Sequence, residues 1–251
     1  LGYSLQLYFD FSGYCDMAAG LARLLGGRLP LNFDSPYRSL SVTEFWKRWH
    51  MTLTTFLREC LYFPLGGSRK GTVRTCVNIM VVYFVSGFWH GAGWTFLLWG
   101  AIHGVCQVAE RLWGKKRDRL PRAVQWVLTF AVVNLAWVYF RAPTVAAGNT
   151  VIGALFSFDI ARPEKWIVSG LLSSEMDAVR ILFPALTPWV NTLLIVGLYS
   201  VGLLVIAMPR SVIRQMDDFR PTWWRAALVA AVLGWSILSF TGITTFIYSN
   251  F

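Results

Sequence analysis

Five long apolar runs constrain what this chain can fold into more than any other feature of its sequence. They cover roughly residues 75–92, 93–112, 123–141, 190–208 and 226–248. Each run approaches the roughly 20 residues that an α-helix needs to cross the hydrocarbon core of a bilayer. Only 14% of the residues are charged, whereas soluble domains carry about 25%. We therefore predict an all-α, polytopic transmembrane protein.

The segments outside these runs predict shorter helices. Residues 1–26 indicate a helix interrupted by polar residues, and residues 41–63 predict an amphipathic helix that begins at a capping box of Ser41 and Glu44. If that helix is continuous, one of its faces carries Trp46, His50, Leu53 and Leu57. Its internal charges favour an interfacial or re-entrant position. The proline-punctuated stretch 142–189 predicts an outer loop with surface helices.

Three basic loops predict the orientation of the spans. They contain Arg69, Lys70 and Arg74; Lys115, Lys116, Arg117, Arg119 and Arg122; and Arg210, Arg214, Arg220 and Arg225. Two apolar runs separate each loop from the next, so all three loops can lie in the cytoplasm. This topology accounts for the net charge of +10. We therefore expect membrane lipids around the chain and no nucleic-acid partner.

The only three histidines of the chain, His50, His90 and His103, lie inside or beside apolar helices. An imidazole exchanges protons near neutral pH, and an ionisable group at membrane depth suggests a functional site. From the helical rise, His90 and His103 are expected roughly 24 and 18 Å from the cytoplasmic boundary. Gly91 and Gly93 favour a break in the helix after His90.

Each histidine also has a structural interpretation. A buried imidazole can bond a neighbouring carbonyl group and hold two helices together, and His50 can be an interfacial residue among tryptophans. Several other chemistries lack their motifs: there is no G-x-S-x-G elbow and no H-E-x-x-H zinc motif. The four cysteines show no C-x-x-C spacing and no nearby histidine at ligand spacing, so we expect buried thiols and no metal site.

Three segments together resemble the membrane-bound O-acyltransferase family. They are FWKRWHMTLT at 45–54, FLRECLYFPLGG at 56–67 and GFWHGAGW at 87–94. The opening YFDFSGYCDM at 8–17 and the terminal FIY at 246–248 look like the branch that contains bacterial alginate and cell-surface polysaccharide O-acetylation proteins. Family members are longer on the N-terminal side. Residues 1–251 are therefore expected to form a single membrane domain, the C-terminal part of a longer protein.

The resemblance implies a multi-pass enzyme of the bacterial inner membrane, with re-entrant or interfacial helices around a central tunnel. It implies that the catalytic histidine of the W-H-G motif is His90, and that the second polar position, in the R-W-H motif, is His50. It also implies transfer of an acetyl group from a cytoplasmic thioester, acetyl-CoA, to an extracytoplasmic polysaccharide such as alginate, or to a partner protein that modifies the polymer. No tightly bound cofactor is expected.

The chemistry of the residues fits this expectation. Acyl transfer to a hydroxyl group needs a base and a group that stabilises the developing oxyanion. His90 is the predicted base, and His50 is expected to orient the substrate or polarise its carbonyl group. The phosphates of coenzyme A are expected at Arg58, Arg69, Lys70 and Arg74, although topology alone also explains these positions. Two rival functions are transfer of another acyl group, such as D-alanine, and proton-coupled transport through His90 and His103.

Overall fold

The computed structural model shows a helical chain over the residues it describes, which are 1–157, 181–186, 190–207 and 220–238. Every regular element in these ranges is a helix, so the all-α class is confirmed for them. They fall into two compact units: residues 1–157 with 206–207, and the described residues of 181–205 with 220–238. All the candidate site residues lie in the first unit. The single domain over 1–251 stays a prediction.

The first unit begins with short and irregular elements and continues with long helices. Helix α1 covers Gly2–Leu24, and a 3₁₀ turn at Pro36–Arg38 precedes α2 (Val42–Trp46) and α3 (Met51–Leu57). A π-helical turn, Arg58–Tyr62, extends α3. Then follow α4 (Gly71–His90), α5 (Trp94–Trp113), a 3₁₀ helix (Gly114–Arg119), α6 (Arg122–Arg141) and α7 (Val145–Phe156). In the second unit, a 3₁₀ turn at Pro184–Leu186 is followed by α8 (Val190–Ile206) and α9 (Trp223–Leu238).

The continuous helix predicted over residues 41–63 is wrong. It starts as predicted, because the Ser41 hydroxyl accepts a hydrogen bond from the Glu44 N–H at 2.9 Å. However, α2 ends at Trp46, and His50 adopts a left-handed conformation, φ 44° and ψ 56°, before α3 begins. A left-handed residue interrupts a right-handed helix, so the residues expected on one face are divided between two helices.

Contacts distant in sequence stabilise this break. The Asp34 N–H donates to the Arg48 carbonyl group at 3.0 Å, and the Met51 N–H donates to the Asn32 carbonyl group at 3.0 Å. These bonds satisfy backbone groups that a continuous helix would have paired internally. The helical periodicity of 41–63 does not indicate that this segment bonds to the backbone of residues 32–34. Sequence reasoning therefore missed the break.

Two of the five predicted spans are clear among the described residues. Helices α4 and α6 are each long and apolar enough to cross a membrane. Helix α5 coincides with the run at 93–112 but is not among these two candidate spans; it contains His103, and its last turn contains Glu110 and Arg111. Helices α8 and α9 have 17 and 16 residues, and part of the run at 226–248 lies outside the described residues.

Other sequence expectations can be placed in the same way. Helix α1 confirms the predicted first helix. Helix α7 lies within the predicted outer loop, and 158–180 of that loop lies outside the described residues. Arg210 and Arg214, in the third basic loop, also lie outside the described residues. Large apolar side chains such as Val73, Phe84 and Phe88 are exposed along α4, as lipid-facing side chains would be.

Glycines allow α4 and α5 to pack closely. A Cβ atom on Gly87 would lie 2.5 Å from the Phe96 carbonyl oxygen, and one on Gly100 would overlap the Tyr83 carbonyl oxygen. Small residues at helix contacts let backbones approach in membrane proteins, where burial of apolar surface supplies little driving force. The α4–α5 hairpin is thus a tightly packed support for the residues at its closed end, where His90 lies.

Candidate active site

His90 is the last residue of α4, and the predicted break follows it. Gly91 has φ +155°, and a Cβ atom there would lie 2.6 Å from the Phe96 ring, so glycine is required at this turn. His90 is only 7% exposed. Its ring packs against Trp99 and Phe140, with centroid distances of 5.2 and 5.1 Å. Among the described residues, the contacts of this imidazole are with other aromatic rings.

His50 occupies the left-handed position between α2 and α3 and is held by hydrogen bonds. Its Nδ1 lies 3.1 Å from Asn32 Oδ1 and 3.4 Å from Thr52 Oγ1. The ring packs edge-on against Phe11 at a centroid distance of 4.8 Å. Burial lowers the pKa of His50 from 6.5 to about 4, since the charged form loses its hydration. His50 is therefore neutral at physiological pH.

The structure brings His50 and His90 together. Both imidazoles pack against the indole ring of Trp89, at centroid distances of 6.5 Å for His50 and 4.8 Å for His90. They are close enough for charges on the two rings to repel each other. Although 40 positions separate them in sequence, the two predicted catalytic residues thus belong to one cluster.

His103 lies apart from that pair and is fully buried. Trp46 Nε1 donates a hydrogen bond to His103 Nδ1 at 3.2 Å, which links α2 to α5. The Nε2 atom of His103 has no hydrogen-bond partner among the described residues. This contact is of the kind that the structural interpretation of His103 predicts, an imidazole that joins two helices.

A cavity of about 930 Å³ lies between α2, α3, α4 and α5. Its wall along α4 contains Ile79, Val82, Tyr83 and Ser86. Ser86 and His90 are four residues apart, so they share one face of α4 with Cβ atoms about 6 Å apart. The cavity therefore reaches to within one helical turn of His90, although His90 itself is not part of its lining.

Charged side chains line the other end of this cavity. The positive residues are Lys47, Arg58, Arg111 and Arg117, and the negative residues are Glu44, Glu110 and Asp118. Of the four predicted phosphate contacts, the structure places only Arg58 in the wall. Arg69, Lys70 and Arg74 are exposed and lie outside it, just after the lining residue Ser68.

Glu110 fixes the shape of the charged end. Its carboxylate accepts hydrogen bonds from the backbone N–H groups of Val42 and Thr43, at 2.6 and 3.0 Å, and so caps α2 from α5. It also lies 3.6 Å from the Arg117 guanidinium group. Sequence reasoning missed this role, and the available signal was a single acidic residue near the end of an otherwise apolar helix.

Sequence reasoning also missed Lys47, Arg111 and Arg117 as cavity residues, because basic residues beside membrane helices are already explained by topology. Asn32 was missed as well, since nothing in its neighbourhood indicates a contact with a residue 18 positions away. Within the described residues, no group of three histidine, cysteine or acidic side chains is placed to hold a metal ion.

Comparison with known proteins identifies the family. The model of the membrane-bound O-acyltransferase family matches residues 1–146. The chain belongs to the membrane-bound O-acyltransferase family, which indicates a membrane protein. This membership agrees with the resemblance carried by the segments around His50 and His90.

Individual relatives match over part of their own length. The chain is 47% identical to the peptidoglycan O-acetyltransferase of Helicobacter pylori over 156 residues, which cover 61% of the chain and 30% of the relative. It is 46% identical to the "Probable alginate O-acetylase AlgI" of Pseudomonas aeruginosa over 182 residues, 72% of the chain and 34% of the relative. It is 33% identical to the teichoic acid D-alanyltransferase of Streptococcus thermophilus over 131 residues, 48% and 31% respectively. The matches thus span about a third of each relative.

Proposed function

We propose that the protein is a multi-pass O-acyltransferase of the bacterial inner membrane that transfers an acetyl group from acetyl-CoA to hydroxyl groups of an extracytoplasmic polysaccharide. One observation carries the proposal: His50 and His90 meet at Trp89, and a cavity whose far end contains four basic and three acidic side chains reaches within one helical turn of His90. The family and the two O-acetylating relatives support the acyl group and the class of acceptor.

The proposed reaction is a direct transfer between a thioester and an alcohol. His90 takes the proton of the acceptor hydroxyl group as its oxygen attacks the thioester carbonyl carbon. The new C–O bond forms, the C–S bond breaks, and the leaving thiolate receives the proton from His90. An ester and a free thiol result, and His90 is again neutral. The aromatic rings around His90 exclude water, which would otherwise compete with the alcohol.

The cavity is the proposed site of the thioester donor. Coenzyme A carries phosphates and a long, flexible pantetheine arm, so it needs positive charge at one end of a deep site. Lys47, Arg58 and Arg117 supply that charge, and the arm would run along α4 from Ile79 to Ser86. Arg69 and Lys70, on the exposed turn before α4, and Arg74, in the first turn of α4, remain proposed contacts outside the cavity.

The remaining architecture is part of the proposal. The charged end of the cavity would face the cytoplasm, since Arg117 in its wall belongs to a predicted cytoplasmic loop. The polymer would approach His90 from the opposite side through a tunnel between the helices, two of which are α4 and α6. Release of the acetylated product, or passage of the acetyl group to the polymer, would involve an extracytoplasmic acetyltransferase or another polysaccharide-modifying partner.

Transfer of D-alanine is the second candidate, and the teichoic acid D-alanyltransferase relatives favour it. Their identity to the chain is 33% or less in the two cases compared, against 42–47% for the O-acetylating relatives. The proposal therefore places acetyl transfer first. Membranes supplied with labelled acetyl-CoA or with D-alanine attached to a carrier protein distinguish the two, because only the accepted donor will label the polymer.

The central test replaces His90 in the whole protein. His90→Gln keeps a side chain of similar size and removes the base, so acetyl transfer from labelled acetyl-CoA should fall by about 10²- to 10⁴-fold. His103→Gln is the matched control, because the glutamine carbonyl can still accept the hydrogen bond from Trp46. It should keep transfer within about 5-fold, at equal protein level, for a change outside the reacting groups.

Two outcomes contradict the proposal. Unchanged transfer in His90→Gln removes His90 from the reaction. Equal and complete loss in both variants favours the rival hypothesis of a proton relay through His90 and His103, in which each imidazole carries the proton in turn.

A second test addresses the donor site. Arg58→Gln should raise the KM for acetyl-CoA about 3- to 10-fold with little change in kcat, because one charge-assisted contact to phosphate is lost. Arg119→Gln is the control, since Arg119 is exposed and outside the cavity lining. Equal KM values in the two variants would place the donor elsewhere.

A further inference from the structure

The bonds around Asn32 determine how His50 is protonated. Asn32 Oδ1 lies 3.3 Å from the Thr52 backbone nitrogen and 3.0 Å from Thr52 Oγ1. A backbone N–H group is always a donor, so the side-chain atom that it meets must be the oxygen of the amide. Asn32 Nδ2, on the other side, donates to Cys15 Sγ of α1 at 3.2 Å. The Thr52 backbone N–H therefore assigns the oxygen end of the amide, and the end that meets Cys15 is the nitrogen.

The oxygen of Asn32 also faces His50 Nδ1, at 3.1 Å. Because this oxygen only accepts, Nδ1 must carry the hydrogen atom. A neutral imidazole has one N–H group and one bare nitrogen, so a proton on Nδ1 leaves Nε2 as the bare nitrogen. A bare nitrogen accepts a hydrogen bond and cannot donate one to a carbonyl oxygen.

We infer that Asn32 is a positioning residue that holds neutral His50 with its proton on Nδ1, so that Nε2 accepts a hydrogen bond from a second hydroxyl group of the acceptor, next to the one that His90 deprotonates. This inference rests on the proposed function and decides between the two roles considered for His50. His50 orients the alcohol beside His90, and polarisation of the acyl carbonyl group falls to another donor.

The backbone around His50 supports a dedicated arrangement. His50 is one of two non-glycine residues with positive φ among the described residues, a conformation that residues other than glycine seldom adopt. Such strain persists only where surrounding contacts impose it. Asn32 makes such contacts with both its side chain and its backbone. Its side-chain oxygen bonds His50 and Thr52, and its carbonyl group accepts a hydrogen bond from the Met51 N–H at 3.0 Å.

The first arm of the test reads the protonation of His50 without using activity. ¹⁵N-histidine labelling of the whole protein gives one imidazole spin system for each histidine, including the three of this chain. The one that disappears in His50→Gln belongs to His50. In the wild type, its hydrogen should be on Nδ1. In Asn32→Leu, which lacks the acceptor, the signal should move toward the Nε2–H form. A wild-type signal with the hydrogen on Nε2 overturns the inference.

The second arm measures acetyl transfer in the same variants. Asn32→Leu should lower kcat about 10- to 100-fold, as loss of a side chain that orients a functional histidine does, with the KM for acetyl-CoA within 2-fold. Asn32→Asp keeps an accepting oxygen and should recover at least 10-fold of that loss. Its carboxylate should also move the acid limb of the kcat profile to higher pH. His90 of α4 also faces His50, and it is unchanged in all these variants.

A purely structural role for Asn32 predicts a different pattern. The Asp and Leu variants would then lose activity in proportion to their loss of thermal stability, and the acid limb would not move; that result overturns the inference. Failure of the proposed function has its own signature, which is unchanged transfer in His90→Gln. The ¹⁵N measurement still decides the protonation of His50 in that case.

Discussion

His50 and His90 pack against the same indole ring, yet the protein holds them by different means. His50 lies in a break between two short helices, in a left-handed backbone conformation, and a hydrogen bond to Asn32 fixes one of its nitrogens. His90 lies at the end of a 20-residue helix, where the rings of Trp99 and Phe140 enclose it.

The difference shows how two identical side chains can suit the two separate tasks proposed for them. A hydrogen bond decides which nitrogen carries the proton, whereas aromatic packing decides only where the ring lies. A group that orients a substrate benefits from a fixed proton. A base must take up a proton and release it in each cycle. It benefits from surroundings that do not determine which of its nitrogens carries the proton. The hydrogen-bonded His50 suits the first task, and the ring-enclosed His90 suits the second.

The largest expected effect comes from disturbing the helix end that places His90. Gly91→Ala adds a Cβ atom 2.6 Å from the Phe96 ring at a φ of +155°, so the turn into α5 and the His90 ring must shift. A displacement of about 1 Å can cost about 10²-fold in rate, and we expect acetyl transfer to fall by that factor.

Gly93→Ala is the control for this prediction, because its Cβ atom would meet the Phe96 ring at an ordinary 3.6 Å. Its transfer rate should stay within about 3-fold of the wild type, as expected for a change that adds no clash. Comparable rates for the two alanine variants would mean that the position of His90 does not depend on the turn.

A smaller effect is expected from the backbone at His50. Valine is β-branched and poorly tolerates positive φ, whereas asparagine enters this region several times more often than other residues. His50→Val should therefore be less stable than His50→Asn by about 1–2 kcal/mol. Both variants lack the imidazole, so thermal unfolding of the two in the same detergent isolates the backbone term. Equal midpoints would contradict the left-handed conformation of residue 50.

The smallest effect concerns pH. Burial lowers the pKa of His50 from 6.5 to about 4, so below pH 6.5 the unfolded chain binds a proton at this site that the folded protein does not. Stability is therefore unaffected by this group above pH 6.5 and falls as the pH drops toward 4. At pH 5.5 the expected loss is about 1.4 kcal/mol.

The measurement is the change in thermal midpoint between pH 7.5 and 5.5, in the wild type and in His50→Gln. The wild type should lose more, since the glutamine variant has no group to protonate at this position. A loss of the same size in both proteins would show that His50 is not shielded from water, and the contrast between the two histidines would then weaken.

Local features were the predictable part of this molecule. The capping box at Ser41, the break after His90 and the spans of α4 and α6 each depend on neighbouring residues, because capping, glycine conformation and helical hydropathy act over a few positions. The break at His50 could not be predicted in this way, since its backbone partners lie at residues 32 and 34.

The same limit separates the two halves of the candidate site. Motifs around His50 and His90 pointed to both histidines and to the family. The cavity residues Lys47, Arg117 and Glu110 could not be recognised, because they come from three separate elements that meet only after folding.

By itself, the sequence determined that the described part of this chain is helical, that two of its helices are apolar enough to span a membrane, and that it belongs to an acyltransferase family. Those properties follow from hydropathy and from short ordered motifs. Only the tertiary structure decided that His50 and His90 share one indole ring, that Asn32 faces Nδ1 of His50, and that a charged cavity runs toward His90. Such arrangements depend on distances between residues far apart in the chain, and the packing of helices and of the segments between them sets those distances.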